Sequence, residues 1–143
     1  MLSIRLAVSA DWPLWRALDG HISHELFLRK AGAGECCIAL EDGAPAGLLR
    51  WNLFWDSVPF CTLLRVEEGR RGKGVGRALV NRWEADMAAR GHGMVMTSTQ
   101  VDETAQHFWR KLGYRDAGGF AVDVPGYAQP LELVMTKGLG EKA

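Results

Sequence analysis

The chain has few cysteines, and their spacing excludes both a disulfide-stabilised fold and a metal site built from paired cysteines. Its 143 residues contain three, of which Cys36 and Cys37 are adjacent and Cys61 stands alone. Neighbouring residues of a strand point to opposite faces, so this pattern has neither the spacing of paired metal ligands nor that of a disulfide framework. No metal site is therefore expected, and we interpret the three side chains as small core residues.

An excess of charge of either sign is also absent. The 17 basic and 17 acidic side chains cancel, so no global field favours a nucleic-acid backbone or an anionic membrane surface. We expect neither nucleic acid nor membrane as a partner. A charged ligand has to be bound by a local group of side chains.

Long apolar runs, repeats and linkers rich in proline or serine are missing as well. No segment approaches the length of a membrane span, and the N-terminus lacks the basic, apolar and small-residue succession of a signal peptide. We therefore expect a cytoplasmic protein. Because 48% of the residues are hydrophobic, the chain can bury one substantial core, and residues 1–143 are expected to form a single domain.

Hydrophobic periodicity and turn signals predict the element order β-α-α-β-β-β-α-β-α-β-β. The clearest helix starts at residue 75 and stops at Gly91, because its apolar residues recur on one helical face: Val75, Ala78, Leu79, Trp83 and Met87. Strands are predicted at 4–6, 36–40, 47–54, 60–66, 94–98 and 131–137, and further helices at 11–18, 23–32 and 104–112. Hairpins combined with a strand-helix-strand crossover indicate the α/β class, with helices on a mixed sheet.

The segment between residues 64 and 77 joins an apolar strand to this strongest helix. The first amides of a helix have no internal partners and lie at the positive end of its dipole. Glycines let an anion approach the backbone closely, and basic side chains add charge around the same point. Both occur here, as Gly72, Gly74 and Gly76 with Arg71, Lys73 and Arg77.

Other nucleotide-binding loops fit this segment poorly. A Walker A loop needs Ser or Thr after its lysine, but Lys73 is followed by Gly74. A Rossmann fingerprint beginning at Gly72 needs glycine or alanine at position 77, which is Arg77, and it belongs in a first βα turn. Glycines that only shape a turn would leave the basic cluster at the helix start unexplained.

Two motifs of the chain resemble the GNAT superfamily of N-acetyltransferases. Arg71, Gly74 and Gly76 match the coenzyme A loop of that family. The loop starts with Arg or Gln, has Gly three residues later, and has Gly or Ala two residues after that. Residues 102–114 are similar to the second signature of the family. That signature begins with Asn or Asp, has Ala three residues later, and continues with two aromatics, Lys-Leu-Gly and a further aromatic. The resemblance implies a central, mostly antiparallel mixed sheet flanked by about four helices.

It also implies acetyl-coenzyme A as cosubstrate and a set of residues that bind it. The pantetheine arm would pair with the strand backbone at Leu64, Arg65 and Val66 and lie where the fourth and fifth strands splay apart. The pyrophosphate would be held by Arg71, Gly72, Lys73, Gly74, Val75, Gly76 and Arg77. The far side of the arm would be lined by Asp102, Ala105, Phe108 and Trp109.

The implied reaction is direct attack of a primary amine, on a small molecule or a peptide, at the thioester carbonyl. A backbone N–H near Val66 would stabilise the oxyanion, and Asp56, which lies with Trp55 where the chain should turn, is our candidate base. Trp109 stands where the family usually has the tyrosine that protonates the leaving thiolate. Since indole does not ionise in the relevant range, Tyr114 or water becomes the candidate acid.

Several alternatives stay open at this level. Glu25, Glu67 and Glu68 are further candidates for the base, and Glu67 and Glu68 also fit a role in balancing the basic loop. The substitution at Trp109 suits a non-catalytic module that binds or senses coenzyme A. The acceptor amine is not encoded in the motifs, and a homodimer is compatible with the sequence without being predicted by it.

Overall fold

The computed structural model describes residues 1–140 and contains every element in the predicted order. The strands are β1 (Leu2–Leu6), β2 (Cys36–Glu41), β3 (Ala44–Phe54), β4 (Val58–Val66), β5 (Met94–Gln100), β6 (Arg115–Val122) and β7 (Gln129–Gly138). The α-helices described are α1 (Trp12–Arg16), α2 (His24–Gly32), α3 (Val75–Ala89) and α4 (Ala105–Lys111). Short 3-10 helices lie at Ser9–Asp11 and Glu68–Arg70. The sequence also suggests a loose tail over residues 138–143; Gly138 instead ends β7, and residues 141–143 lie outside the described residues.

The strands form a mixed sheet, as predicted. β4 and β5 run parallel, whereas β1–β2, β2–β3, β5–β7 and β6–β7 are antiparallel pairs. The described residues form two compact units, one of Met1–Asn52 with Thr62–Asp86 and the other of Leu53–Cys61 with residues 87–140. The strand order is β1-β2-β3-β4 in the first unit and β4-β5-β7-β6 in the second, with β4 contributing residues to both.

The hairpin between β2 and β3 reverses at Asp42 and Gly43, whose φ angles are 52° and 84°. Two consecutive left-handed residues make the turn that matches strand twist, and glycine adopts this conformation without steric cost. β3 nevertheless starts three residues before the predicted 47, because residues 44 and 45 already pair with Glu41 and Leu40.

In the first unit, one side of the sheet is covered by α1 and α2. The buried cluster there contains Ala7, Trp15, Ile22, Phe27, Cys36, Ile38 and Leu48. Full burial of a side chain such as Phe27 contributes roughly 1.5–3 kcal/mol. The start of α2 is capped by Ser23, whose Oγ accepts a hydrogen bond from the Leu26 amide at 3.1 Å. This cap satisfies one of the free amides of the first turn.

A buried ion pair lies among these apolar residues. Asp19 is 2% exposed and accepts hydrogen bonds from Arg50 Nε at 2.8 Å, Trp15 Nε1 at 3.0 Å and the His21 amide at 3.1 Å. Burial alone raises the pKa of Asp19, but the bonds from Arg50, His21 and Trp15 outweigh it and hold this pKa below its usual value. The ion pair therefore fixes β3 to the segment that follows α1.

All three cysteines are buried, as expected from the sequence, and none of them forms a disulfide. Cys36 and Cys37 are 0% and 1% exposed, so both faces of β2 are covered at this point. Burial raises the pKa of the Cys36 thiol to about 12. A thiol with that pKa is almost entirely protonated near neutral pH and is a poor nucleophile.

In the second unit, alternate residues of β5 are almost fully buried. Val95, Thr97 and Thr99 are at most 5% exposed. The hydroxyl of Thr97 donates to the carbonyl of Cys61 at 3.1 Å, which satisfies its polar group inside the core. The opposite side of this strand is buried at Met96, which is 5% exposed, and only half-buried at Ser98 and Gln100.

Candidate active site

The predicted anion-binding loop connects β4 to α3 within the first unit. After β4 the chain forms the 3-10 helix at Glu68–Arg70 and then a turn over residues 71–74. Gly72 and Gly74 have φ angles of 79° and 86°, a conformation that L side chains rarely adopt. No atom lies within 4 Å of the position that a Cβ would take at either residue. The backbone at these glycines therefore borders open space, which suits a bound anion.

The N-terminus of α3 is held in place by a close contact with β3. A Cβ on Gly47 would lie 2.9 Å from Leu79 Cδ1, 3.0 Å from Val75 Cγ1 and 3.1 Å from the carbonyl oxygen of Arg65. Only glycine allows helix and strand to approach this closely. The first helical hydrogen bond runs from the Ala78 amide to the Gly74 carbonyl at 3.0 Å, so the amides that precede Ala78 are the free ones of the first turn.

The basic side chains around the loop differ in how their charge is balanced. Arg70 forms ion pairs with Glu41 and Glu67, each at 3.2 Å. Arg71, Lys73 and Arg77 are exposed, and the described part of the chain contains no ion pair to any of them. Three uncompensated cations next to free helix amides fit a pyrophosphate group.

The strand that leads into the loop carries the residues expected to meet the pantetheine arm. Leu64 and Val66 are half-buried, and Arg65 is exposed. Glu67, one of the alternative bases, accepts hydrogen bonds from the Gly69 amide at 3.0 Å and from Arg70 Nη1 at 3.2 Å. Its carboxylate therefore shapes the loop, in agreement with the charge-balancing role considered for it.

The second signature forms α4 and its flanking turns within the second unit. Asp102 and Ala105 are exposed, Phe108 is half-buried, and Trp109 is 4% exposed. The Trp109 ring meets Phe108 edge-on at 5.4 Å and Tyr114 edge-on at 4.8 Å, measured between ring centroids. Such edge-to-face pairs add about 0.5–1.5 kcal/mol to the burial of the rings.

The candidate acid Tyr114 is itself only 2% exposed. Lys137 Nζ lies 5.6 Å from its ring centroid and donates a hydrogen bond to the Leu112 carbonyl at 2.7 Å. The cation and the Trp109 ring together fix the orientation of Tyr114. This aromatic pair sits at the C-terminal end of α4, where the motif positions it.

The candidate base Asp56 lies in the turn between β3 and β4. Trp55 and Asp56 have φ angles of 57° and 60°, so two consecutive residues without the freedom of glycine adopt the left-handed conformation. This conformation is unfavourable for a side chain as large as that of Trp55, whereas aspartate tolerates it better than most residues. Trp55 is 75% exposed and packs on Phe54 at a centroid distance of 4.7 Å. Asp56 is also exposed, so its carboxylate faces solvent.

One organised carboxylate was not predicted from the sequence. Glu132 in β7 accepts a hydrogen bond from Ser98 Oγ at 2.6 Å and another from Gln129 Nε2 at 2.7 Å. The only available signal was a charged residue inside the apolar run Leu131-Glu132-Leu133-Val134. That pattern alone indicates a strand with one exposed face.

Within residues 1–140, no group of three or more potential metal ligands is close enough to hold an ion. Within the same residues, no helix is long and apolar enough to span a membrane.

The family follows from the sequence match. The model of the Acetyltransferase (GNAT) family matches residues 4–114, which is more than half of the 143-residue chain. The chain therefore belongs to the GNAT family of acetyltransferases, as its two motifs predicted. No curated protein sequence matches it significantly.

Solved structures share this fold at low sequence identity. The ribosomal-protein-S18-alanine N-acetyltransferase from Escherichia coli aligns with a TM-score of 0.83 and 16% identity, over 100% of this chain and 97% of that one. An N-acetyltransferase from Staphylococcus aureus Mu50 aligns with a TM-score of 0.83 and 17% identity, over 98% of this chain and 99% of that one. PaiA N-acetyltransferase from Thermoplasma acidophilum, in complex with coenzyme A, aligns with a TM-score of 0.75 and 15% identity, over 96% of this chain and 99% of that one. At these identities the likeness shows the fold, and the predicted mixed α/β architecture is confirmed.

Proposed function

We propose that the chain is a single N-acetyltransferase domain that transfers the acetyl group of acetyl-coenzyme A to a primary amine of a small molecule or a peptide. Membership of the GNAT family supports the transferase class and this donor. The observation that carries the proposal is the loop before α3. There, left-handed glycines, free amides and three uncompensated cations come together.

In this proposal the loop binds the pyrophosphate of the cosubstrate. The amides of Gly72, Gly74, Val75 and Gly76 donate hydrogen bonds to its oxygens, and Arg71, Lys73 and Arg77 balance its charge. Pairing of the pantetheine arm with the backbone at Leu64, Arg65 and Val66 would add a strand-like interaction. We also propose that the pantetheine arm contacts four residues of α4 and the turn before it: Asp102, Ala105, Phe108 and Trp109.

The proposed reaction needs no covalent acyl-enzyme. The neutral acceptor nitrogen attacks the thioester carbon, the C–N bond forms, and the C–S bond breaks with release of coenzyme A thiolate. The nitrogen loses a proton to Asp56, directly or through water, and the thiolate gains one from Tyr114 or water. A thiol pKa of about 8.5 makes this leaving group only weakly basic, so loss of the family's usual acid at Trp109 is compatible with activity.

The class of the acceptor is part of the proposal. The E. coli relative is described as acting on an alanine of a ribosomal protein, which supports peptide amines as one option to test. The exposed Trp55 and Asp56 would suit the approach of a protonated amine. We also propose a cytoplasmic location, supported by three cysteines that are buried as thiols and form no disulfide.

Two measurements test the proposal. Calorimetry with acetyl-coenzyme A measures donor binding, and failure to bind at millimolar concentration with an intact fold would contradict it. A panel of small amines and peptides is then supplied with acetyl-coenzyme A while released thiol is recorded, and product mass identifies the acetylated amine. Donor binding without acetylation of any acceptor would favour the alternative of a non-catalytic coenzyme A binding module.

A further inference from the structure

The strand β6 lies at the edge of the second unit. The strand order β4-β5-β7-β6 gives it a single neighbour, β7, within the described residues. Its other side presents backbone N–H and C=O groups to solvent, and such an edge can pair with a further strand. Every residue of β6 is exposed except Val122, which is half-buried. Residues 117–122 include neither a charge nor a proline, two of the features that protect natural edge strands from pairing.

Opposite charges lie at the two ends of this edge. Arg115 begins β6 and Asp123 directly follows it, and both are exposed. Neither forms an ion pair within residues 1–140. The carboxylate next to Arg115 is already occupied, because Asp116 pairs with Arg110 at 3.0 Å. The intervening strand separates Arg115 from Asp123 by roughly 25 Å, so the two cannot meet within one chain.

The features of β6 are symmetric about Gly119. Two identical strands that pair antiparallel are related by a two-fold axis, and an axis at Gly119 would place Arg115 of one copy opposite Asp123 of the other. This charge pair would occur twice. The register of β6 against β7 shifts around residues 117 and 121, which lie at equal distances from the axis. The irregular positions of the two copies would therefore face each other.

The same axis brings Gly118 of one copy opposite Phe120 of the other. Gly118 has a φ angle of 138°, and no atom lies within 4 Å of the position that a Cβ would take there. Residues opposite each other on antiparallel strands point to the same side of the sheet, and an aromatic ring can cover an edge glycine. Phe120 is 53% exposed. The pairing would thus cover two rings that a single copy leaves in solvent.

We propose that β6 is a self-association surface, on which two copies of this chain pair antiparallel about a two-fold axis at Gly119. Backbone hydrogen bonds along the edge hold the copies together, and the two pairs between Arg115 and Asp123 fix the register, because a slip of two residues would separate both. A single pair of strands makes a small interface, so the dimer is a weak one. The inference does not depend on the proposed transferase activity.

Charge reversals test the proposed register. Sedimentation velocity of the wild type between about 1 µM and 1 mM, the range of weak association, should show a shift from monomer to dimer. Arg115→Asp and Asp123→Arg should each weaken dimerisation by about 10-fold or more, because each replaces two attractions with two repulsions. Arg29→Asp, a charge reversal at another exposed arginine, in α2, should leave it unchanged.

A mixture of the two variants separates this role from a folding defect. In a mixed dimer of Arg115→Asp with Asp123→Arg, the two altered side chains face each other with opposite charge. The native Arg115 and Asp123 of the two chains form the other pair. The mixture should therefore dimerise nearly as well as the wild type, although each variant alone does not. The double variant Arg115→Asp/Asp123→Arg should also recover dimerisation.

Hydrogen exchange locates the contact on the chain. Backbone amides of β6 should become more protected as the wild-type concentration rises, whereas those of β1, the edge strand of the first unit, should not. A wild type that stays monomeric up to about 1 mM would overturn the inference. Dimers that persist in both single variants, or that do not return in their mixture, would also overturn it. Protection of β6 only by an added peptide would contradict self-association and assign the edge to an extended peptide.

Discussion

The Nε atom of Arg71 donates a hydrogen bond to the carbonyl oxygen of Val66 at 3.2 Å. This bond joins the two ends of the segment that turns from β4 towards α3. It orients the guanidinium group and leaves its other nitrogens available for an anion. Arg71 is thus linked both to the strand proposed for the pantetheine arm and to the loop proposed for the pyrophosphate.

Arg71→Glu is expected to weaken coenzyme A binding by at least about 100-fold, because it replaces charge-assisted bonds with repulsion. Gly74→Asp should have a similar effect, since it adds negative charge and a Cβ at a residue with φ of 86°. Calorimetry measures the affinity, and circular dichroism checks the fold. Arg29→Glu, a charge reversal at another exposed arginine, in α2, is the control. Wild-type affinity in Arg71→Glu would mean that the pyrophosphate binds elsewhere.

Asp56→Asn should leave the affinity for acetyl-coenzyme A nearly unchanged and lower turnover, because the amide cannot accept the acceptor proton. The full dependence of kcat on pH distinguishes this role from a structural one. Asp56 lies in a left-handed turn that asparagine tolerates well, so the variant should fold normally. Unaltered turnover at every pH would remove Asp56 from the mechanism and direct attention to Glu25.

Gly47→Ala should lower the free energy of unfolding by roughly 1–3 kcal/mol, because a Cβ there would come within 3.1 Å of a backbone oxygen. It should also weaken coenzyme A binding, since relief of the clash moves Val75 at the start of α3. Urea denaturation and calorimetry measure the two effects. Gly20→Ala, where no atom lies within 4 Å of the new Cβ, is the matched control. Normal stability and affinity in Gly47→Ala would show that helix and strand can separate without loss.

Asp19 should make the protein sensitive to acid. Burial raises the pKa of Asp19, but the hydrogen bonds from Arg50, His21 and Trp15 lower it by more. The pKa in the folded state therefore lies below the usual value. A depressed carboxyl pKa contributes stability above about pH 4, and that contribution is lost as pH falls through the folded-state pKa. Asp19→Asn should therefore destabilise the protein at pH 7 by about 3 kcal/mol, because it leaves Arg50 buried without its partner.

Urea denaturation at neutral and acidic pH tests this expectation. The difference in stability between wild type and Asp19→Asn should shrink as pH falls below about 4. Asp116→Asn, which breaks the exposed pair with Arg110, should change stability little. A constant difference at all pH values would show that the loss in Asp19→Asn does not depend on ionisation.

Trp109→Tyr should preserve or raise turnover, because it restores the hydroxyl that the family usually has at this motif position. Trp109→Ala should weaken coenzyme A binding and also lower stability by roughly 3–5 kcal/mol, since the residue is 4% exposed and packs on Tyr114. Calorimetry below the unfolding temperature separates these effects. If folded Trp109→Ala kept wild-type affinity, the proposed alignment of the second signature at this residue would be wrong.

Sequence patterns predicted those parts of the structure that local chemistry determines. The face of α3 is set by helical spacing, and the β2–β3 reversal is set by Asp42 and Gly43. β6 was expected from the element order but not assigned to residues, because Gly118 and Gly119 have low strand propensity. That strand is stabilised by pairing with β7, a contact distant in sequence.

The candidate site also combines features that the sequence predicts with features that depend on contacts distant in sequence. The glycines and cations of the loop before α3 follow one another in the chain, so their proximity could be predicted from the motif. The carboxylate of Glu132 is oriented by Ser98, which is 34 residues away in the chain. Only the register of β5 against β7 brings these two residues together, and hydrophobic patterning does not specify that register by itself.

The burial of the cysteines has a practical consequence for assays. Coenzyme A release is commonly followed with reagents that react with free thiols, and the native chain should add almost no signal of its own, because Cys36, Cys37 and Cys61 are at most 3% exposed. Unfolding would expose all three. One continuous recording therefore reports two processes, since catalysis appears only when an acceptor is present, and denaturation appears as a slow increase without one.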